Sequence, residues 1–336
     1  MPLRIDPWPS ATVLASRSGG SAAAPLVVGL INNMPDAALE DTEGQFRGLL
    51  AAAAGPGEVR LRLSYLPEVP RVATARNALC ERYWPLDDLL SSPLDALIVT
   101  GTAPRAPSLR DEPYWKRLVE VLTWAEEHTV SSVWSCLAAH AVVLHLDGIE
   151  RRRLPEKLCG VFAHAVADHP LTAGLASPLA TPQSRWNDLP PGALAAAGYT
   201  ILSESPETGA NAFVKHGRSL LVFFQGHPEY EDRTLLKEYH RDVRRFLAGE
   251  LVRYPALPAG YFRAEALGPL RAFQAAAVAD RNAVRIESFP YTAAATGLAN
   301  RWRAAAVQLY ANWLSLVAVG RRAAQFVKRN ASALPG

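Results

Sequence analysis

The sequence predicts an α/β fold: a doubly wound, mostly parallel sheet with helices on both faces and a C-terminal helical extension. Three observations carry that expectation. Short apolar runs recur along the chain, the form of strands buried on both faces. Segments with helical spacing of apolar residues separate them, the rhythm of βα units. Several of the runs end abruptly in Asn, Gly, Ser or Gln, which suits loops at the strand ends of an open sheet.

In chain order, residues 1–24 are rich in Ser, Gly, Ala and Pro and read as a flexible tail. Residues 25–31 (PLVVGLI) read as a buried strand, closed by the loop Asn32-Asn33-Met34-Pro35. A helix then opens near Asp41, with Thr42 as a candidate cap and Phe46, Leu49 and Leu50 on one face. Residues 59–65 alternate as a strand, and residues 94–100 form another that Gly101 breaks. Residues 114–128 are an amphipathic helix. A strand over 130–135 runs through Cys136 into a helix over 137–145. Strands follow at 199–203, 212–215 and 220–224, then a helix at 234–247. Prolines break the pattern over 254–261, and helices are expected at 265–280 and 298–328. The last is apolar on most faces, so it packs on the main domain or on a partner subunit. The expected organisation is a tail over 1–24, a catalytic domain over 25–262 and the helical extension over 263–336.

Composition narrows the function classes. Of 336 residues, 49% are hydrophobic and 20% charged, with a formal net charge of +3. That is the balance of a globular protein with ample core. No basic tract is long enough for a nucleic-acid groove. No apolar run reaches the ~18 residues of a spanning helix, and no signal-peptide pattern opens the chain. The three cysteines, Cys80, Cys136 and Cys159, are too few and too irregular for a disulfide framework or a metal site, which fits a reducing, cytoplasmic setting. Neither GxGxxG nor GxxxxGK occurs.

Cys136 stands where a buried strand turns into a helix. The positive end of that helix favours a thiolate, and the free N–H of Leu137 can bind an oxyanion. The Gly101-Thr102 loop offers a second donor. A lone buried cysteine is more often a packing residue, so position alone does not decide the matter. The segment Gln225-Gly226-His227-Pro228-Glu229-Tyr230 tips it. It supplies a base, His227, and a carboxylate, Glu229, two residues apart and on one side of an extended loop. Cys80 and Cys159, in helical or apolar contexts, read as structural, and His140 as a packing or exposed residue.

At these residues the sequence resembles the homoserine O-acyltransferase (transsuccinylase) family. The ordered set comprises GLINNMP, Thr42-Glu43 with Gln45, LIVTGTAP, Tyr114-Trp115, SSVWSC, LPEKLCGVFAH, PQSRW, GHPEYEDRTLLKEYHRD and Asn312-Trp313-Leu314. The resemblance implies a flavodoxin-like sheet of the class I glutamine amidotransferase type. It implies ping-pong transfer in which Cys136 takes an acyl group from acyl-CoA and passes it to the hydroxyl of L-homoserine, for methionine synthesis. His227 is then the base and Glu229 its orienting group. Lys157, Ser184 and Arg241 match substrate-contacting positions. No metal or bound cofactor is implied, acyl-CoA being a substrate, and a homodimer is suggested.

Departures from the family pattern are equally specific. Leu137-Ala138-Ala139-His140 replaces the usual Trp-Gly-Ala-Gln after the cysteine, and Asp36-Ala37 stands in the loop that usually carries lysine. The acyl-selecting position falls on Arg105, whose guanidinium suits a succinyl carboxylate better than an acetyl group. These changes keep open an acceptor such as L-serine or a specialised metabolite. The triad by itself also fits a glutamine amidotransferase-like hydrolase.

Overall fold

The apolar runs become strands because alternate side chains enter two separate cores. The computed structural model describes residues 3–8 and 24–331. Its strands are β1 (Leu3–Ile5), β2 (Leu26–Ile31), β3 (Val59–Ser64), β4 (Ala96–Val99), β5 (Ser131–Ser135), β6 (Arg152–Val166), β7 (Leu179–Asp188), β8 (Thr200–Ser205), β9 (Gly209–His216) and β10 (Leu220–Phe224). They form one sheet of order β1-β3-β2-β4-β5-β10-β9-β8-β6-β7. From β1 to β10 neighbours are parallel; from β10 to β7 they are antiparallel. The five strands β3-β2-β4-β5-β10 have the flavodoxin order.

The helices are α1 (Leu39–Ala53), α2 (Ala73–Arg82), α3 (Leu86–Ser91), α4 (Trp115–His128), α5 (Leu137–Asp147), α6 (Pro191–Ala196), α7 (Thr234–Leu247), α8 (Ala264–Ala279), α9 (Tyr291–Ala295) and α10 (Arg303–Ala331). Leu97, Val99, Trp134, Leu221 and Phe223 face α3, α4, α5 and α6. Ala96, Ile98, Val133, Val222 and Phe224, the intervening residues, face α1, α2 and α10. The period of two along each strand thus builds both layers.

Four sequence expectations change. The segment expected as a tail contributes an edge strand, with Leu3–Ile5 paired to Val59–Leu61; residues 9–23 lie outside the described residues. The helix expected to open near Asp41 begins at Leu39, so Thr42 is buried within it rather than capping it. The helices α2 and α3, with weak apolar periodicity, were not legible. Neither was the β6–β7 ribbon, because Pro155 interrupts its pattern. A bulge absorbs that proline: Arg153 pairs with Asn187 and Leu158 with Arg185, so five steps on β6 meet two on β7.

The last helix is built into the core. Ala306, Leu309, Tyr310, Trp313, Leu314 and Val317 are buried at helical spacing and join the α1 face of the sheet. The Trp313 indole N–H donates to Ser131 Oγ at 2.9 Å. Asn312 donates to the carbonyls of Leu171 and Ala173, both at 2.9 Å. A third apolar cluster joins α7, α8 and α9 with Tyr230 and Trp302. Among the described residues no helix is long and apolar enough to cross a membrane.

Candidate active site

Loops at the carboxyl ends of β2, β4, β5 and β10 meet on one edge of the parallel sheet. Cys136 is the turn between β5 and α5. Its φ of 52° and ψ of −112° make it the one non-glycine residue with positive φ among those described. Such a backbone costs on the order of 1–3 kcal/mol and survives only where its surroundings hold it. Here the Cys136 N–H donates to the Phe224 carbonyl at 2.7 Å, tying the turn to the end of β10. The same sharp strand-to-helix turn exposes the side chain at the sheet edge and leaves the next amide free.

That next amide is Leu137 N–H, and Gly101 lies against it. A Cβ on Gly101 would sit 2.8 Å from both the nitrogen and the Cβ of Leu137. Only glycine allows the β4 loop to approach this closely, so Gly101 belongs to the candidate oxyanion site with Leu137 and Thr102. The residue is visible in sequence as a strand breaker, but its partner is not.

At the end of β10, His227 and Glu229 do project together. His227 Nδ1 lies 2.8 Å from Glu229 Oε1, and both residues are buried. The Cys136 thiol faces the same imidazole closely enough to influence its protonation. Burial alone would lower the His227 pKa; the Glu229 carboxylate, then Cys136, overrule it and hold it well above the ordinary value. Gly226 lets this loop pass over the ribbon, since a Cβ there would fall 2.3 Å from Asn211 Oδ1 and 2.4 Å from Gln183 Nε2.

Lys157, Ser184 and Arg241 converge through two residues the sequence reading did not single out, Glu238 and Asp242. Lys157 Nζ lies 2.8 Å from Asp242 Oδ2 and 3.6 Å from Glu238 Oε2. Ser184 donates to Glu238 Oε2. Arg241 reaches Asp242 Oδ1 through Nε at 3.0 Å and Nη2 at 2.9 Å, with its side chain half exposed. Burial would push the Glu238 carboxyl up, but Lys157 and Arg241 hold it below the usual carboxylate range. Glu238, Arg241 and Asp242 share one helical face at spacings of three and four, the signal that could have found them.

Tyr230 joins the two groups. Its ring stacks on His227, centroids 4.2 Å apart, and its hydroxyl donates to Glu238 Oε1 at 2.7 Å. The Tyr230 carbonyl in turn accepts from the Trp302 indole at 2.7 Å and from Asn300 Nδ2 at 3.2 Å. Cys159 plays the packing role expected of it: burial pushes its thiol up to about 12. Arg105 is exposed, and its backbone N–H donates to Glu112 Oε1; its guanidinium has no partner among the described residues. No group of three metal-ligating side chains occurs among the described residues.

A family model described as homoserine O-succinyltransferase matches residues 10–322. The homoserine O-succinyltransferase of Rhodopseudomonas palustris is 49% identical over 88% of this chain and 89% of its own. That of Bradyrhizobium japonicum is 44% identical over 88% of this chain and 91% of its own. Among solved structures, a glutamine amidotransferase from Thermotoga maritima covers 88% of this chain and 99% of its own at 12% identity, with a TM-score of 0.47. One from Methylobacillus flagellatus covers 87% and 94% at 15% identity, with a TM-score of 0.49. With the family model and both relatives spanning most of its length, the chain belongs to the homoserine O-succinyltransferase family.

Proposed function

We propose that this protein transfers a succinyl group from succinyl-CoA to the side-chain hydroxyl of L-homoserine, in methionine biosynthesis, through a thioester on Cys136. The single observation that carries the reading is Tyr230, one side chain that touches both the imidazole of the triad and the buried carboxylate Glu238. It sets a polar cluster of both signs beside the imidazole that serves the nucleophile.

In the first half-reaction the Cys136 sulfur attacks the thioester carbonyl carbon. The developing oxyanion is met by the Leu137 N–H and the Thr102 loop. The carbonyl re-forms, the C–S bond to CoA breaks, and the imidazolium of His227 gives its proton to the departing thiolate. In the second half-reaction neutral His227 takes the proton of the homoserine hydroxyl as that oxygen attacks the acyl carbon. Collapse releases the ester and returns Cys136 as a thiolate beside a protonated His227. Glu229 holds the ring in the tautomer that presents its other nitrogen to the reacting atoms.

The acceptor is a zwitterion, and the cluster offers both signs. Arg241, half exposed, is the partner for the carboxylate; its fork gives two parallel N–H donors. Glu238 is the partner for the ammonium, with Ser184 and Lys157 fixing its orientation. Arg105 is assigned to the succinyl carboxylate. No resident cofactor takes part.

Intact-mass measurement tests the scheme. Succinyl-CoA should add one succinyl group to the wild type, at Cys136, and L-homoserine should then remove it. Cys136→Ser should lower turnover by orders of magnitude, and His227→Ala should block discharge. Absence of any adduct would refute the acyl-enzyme. Discharge by L-serine but not L-homoserine would reassign the acceptor.

A further inference from the structure

The side chain four residues after Cys136 takes no part in these steps, yet it is one of the most enclosed polar groups near them. His140 is 3% exposed, and its Nε2 lies 2.9 Å from Gln225 Oε1. The orientation of that amide is fixed independently. Gln225 Oε1 also accepts from Leu189 N at 3.0 Å, while Gln225 Nε2 donates to the Ala210 carbonyl at 2.7 Å. A flipped amide would leave both partners mismatched. Nε2 of His140 therefore carries the proton, and Nδ1 is a buried lone pair with no partner among the described residues.

The two residues stand on the two elements that carry the chemistry. His140 lies one turn into α5, and its backbone N–H donates to the Cys136 carbonyl at 3.2 Å. Gln225 is two residues before His227, and His227 N in turn donates to the Pro182 carbonyl at 2.9 Å. Between nucleophile and base there are thus two cross-links at the end of β10: Cys136 N to the Phe224 carbonyl, and His140 to Gln225. The left-handed backbone at Cys136 has an energetic reason to relax. Core packing of α5 holds the helix as a whole, and the His140 bond adds a directional contact within its first turn, next to the strained residue. Arg185 Nη1, 3.5 Å from Gln225 Oε1, extends the same junction to β7, next to Ser184.

We infer that His140 is a positioning residue: its bond to Gln225 fixes the placement of the Cys136 sulfur relative to the His227 ring. Burial, then the nearby Arg185 guanidinium, keeps His140 neutral, down to about 3, so Nδ1 stays unprotonated and Nε2 remains the one donor of the ring at working pH. The inference concerns the thiol–imidazole geometry, and acyl transfer is only one of its readouts.

Three variants test it. His140→Gln retains a donor of similar reach, His140→Asn is too short to meet Gln225, and His140→Leu removes the donor. Expected for Asn and Leu is a fall in kcat of roughly 10- to 100-fold, the cost of misplacing reacting groups. KM for both substrates should stay within about twofold. Formation and discharge of the Cys136 adduct should slow together, because both use the same spacing. The Gln variant should stay within about threefold of wild type. Alkylation of Cys136 by iodoacetamide at fixed pH should fall in the Asn and Leu variants and recover in Gln. That measurement needs no acyl donor, so it holds even if the proposed reaction is wrong. If His140→Leu does not fold, Gln against Asn carries the comparison. Equal kcat and equal alkylation in those two would overturn the inference, as would a lowered melting temperature with wild-type kcat. A KM change confined to one substrate would make His140 a contact residue and overturn it as well.

Discussion

Tyr230 lies nearly flat on His227, ring planes 17° apart, and from that position it donates a hydrogen bond to Glu238. One residue therefore supports the proposed base by its face and the proposed acceptor cluster by its hydroxyl. Tyr230→Phe separates these roles. The ring remains stacked, while Glu238 loses one donor and keeps Ser184 and Lys157. The expected outcome is a rise of roughly 10- to 150-fold in KM for L-homoserine, the worth of one hydrogen bond to a charged group, about 1.5–3 kcal/mol. The rate of Cys136 adduct formation from succinyl-CoA should be unchanged, as stopped-flow or quenched-flow mass measurement can check. An equal loss in both half-reactions would contradict the division.

Gly101→Ala tests the oxyanion site without touching the triad. The added methyl would lie 2.8 Å from Leu137 N, and so must displace one of the two loops. Loss of one oxyanion donor costs about 10²–10³ in kcat. We expect that range in steady-state kinetics, for both half-reactions, with Cys136 still open to alkylation.

The pH dependence of stability has a defined sign at His140. In the unfolded chain a histidine titrates near ~6.5, whereas the folded residue stays neutral down to about 3. Between those values the unfolded state binds a proton that the native state does not, so this residue lowers stability as pH falls. His140→Gln removes the term. Urea denaturation should therefore show the variant gaining on wild type as pH drops from ~7 to ~5. His164, also depressed, to about 4, and His227, shifted the other way, are present in both proteins and cancel in the difference.

Arg105 is exposed and carries no partner on its guanidinium among the described residues. Pairing with the donor's free carboxylate would be screened by salt. Arg105→Ala should raise KM for succinyl-CoA roughly 2- to 5-fold, the upper part of the range for an exposed charge pair. Turnover with acetyl-CoA should be unaffected, and equal effects on both donors would remove Arg105 from acyl selection.

The parallel half of the sheet was legible because its strands are short, apolar and closed by Gly, Asn or Ser, and the placement of Cys136 and His227 at the ends of β5 and β10 because each follows such a strand. The antiparallel half was less so. Residues 152–166 mix Arg, Glu, Lys and Pro with apolar positions, and a bulge breaks the period that marks a strand. Glu238 looks like an ordinary helix-surface residue until β7 brings Ser184 against it. His140 reads as a packing histidine, and its bond to Gln225 spans 85 positions of sequence, beyond any local pattern. What sequence lacked in each case was the partner, not the residue.

The carbonyl of Tyr230, in the loop of the base, is held by Asn300 and Trp302, some seventy positions further along the chain. During synthesis the nucleophile, the base and their cross-links are therefore all made before the clasp that steadies them. A chain ending before Asn300 would hold Cys136, His227 and Glu229 and keep the His227 N–H bond to Pro182, yet lack both donors to the Tyr230 carbonyl and the indole that α10 sets against Ser131. The precision of this loop is thus a property of the whole chain and not of the segment that carries its reactive groups.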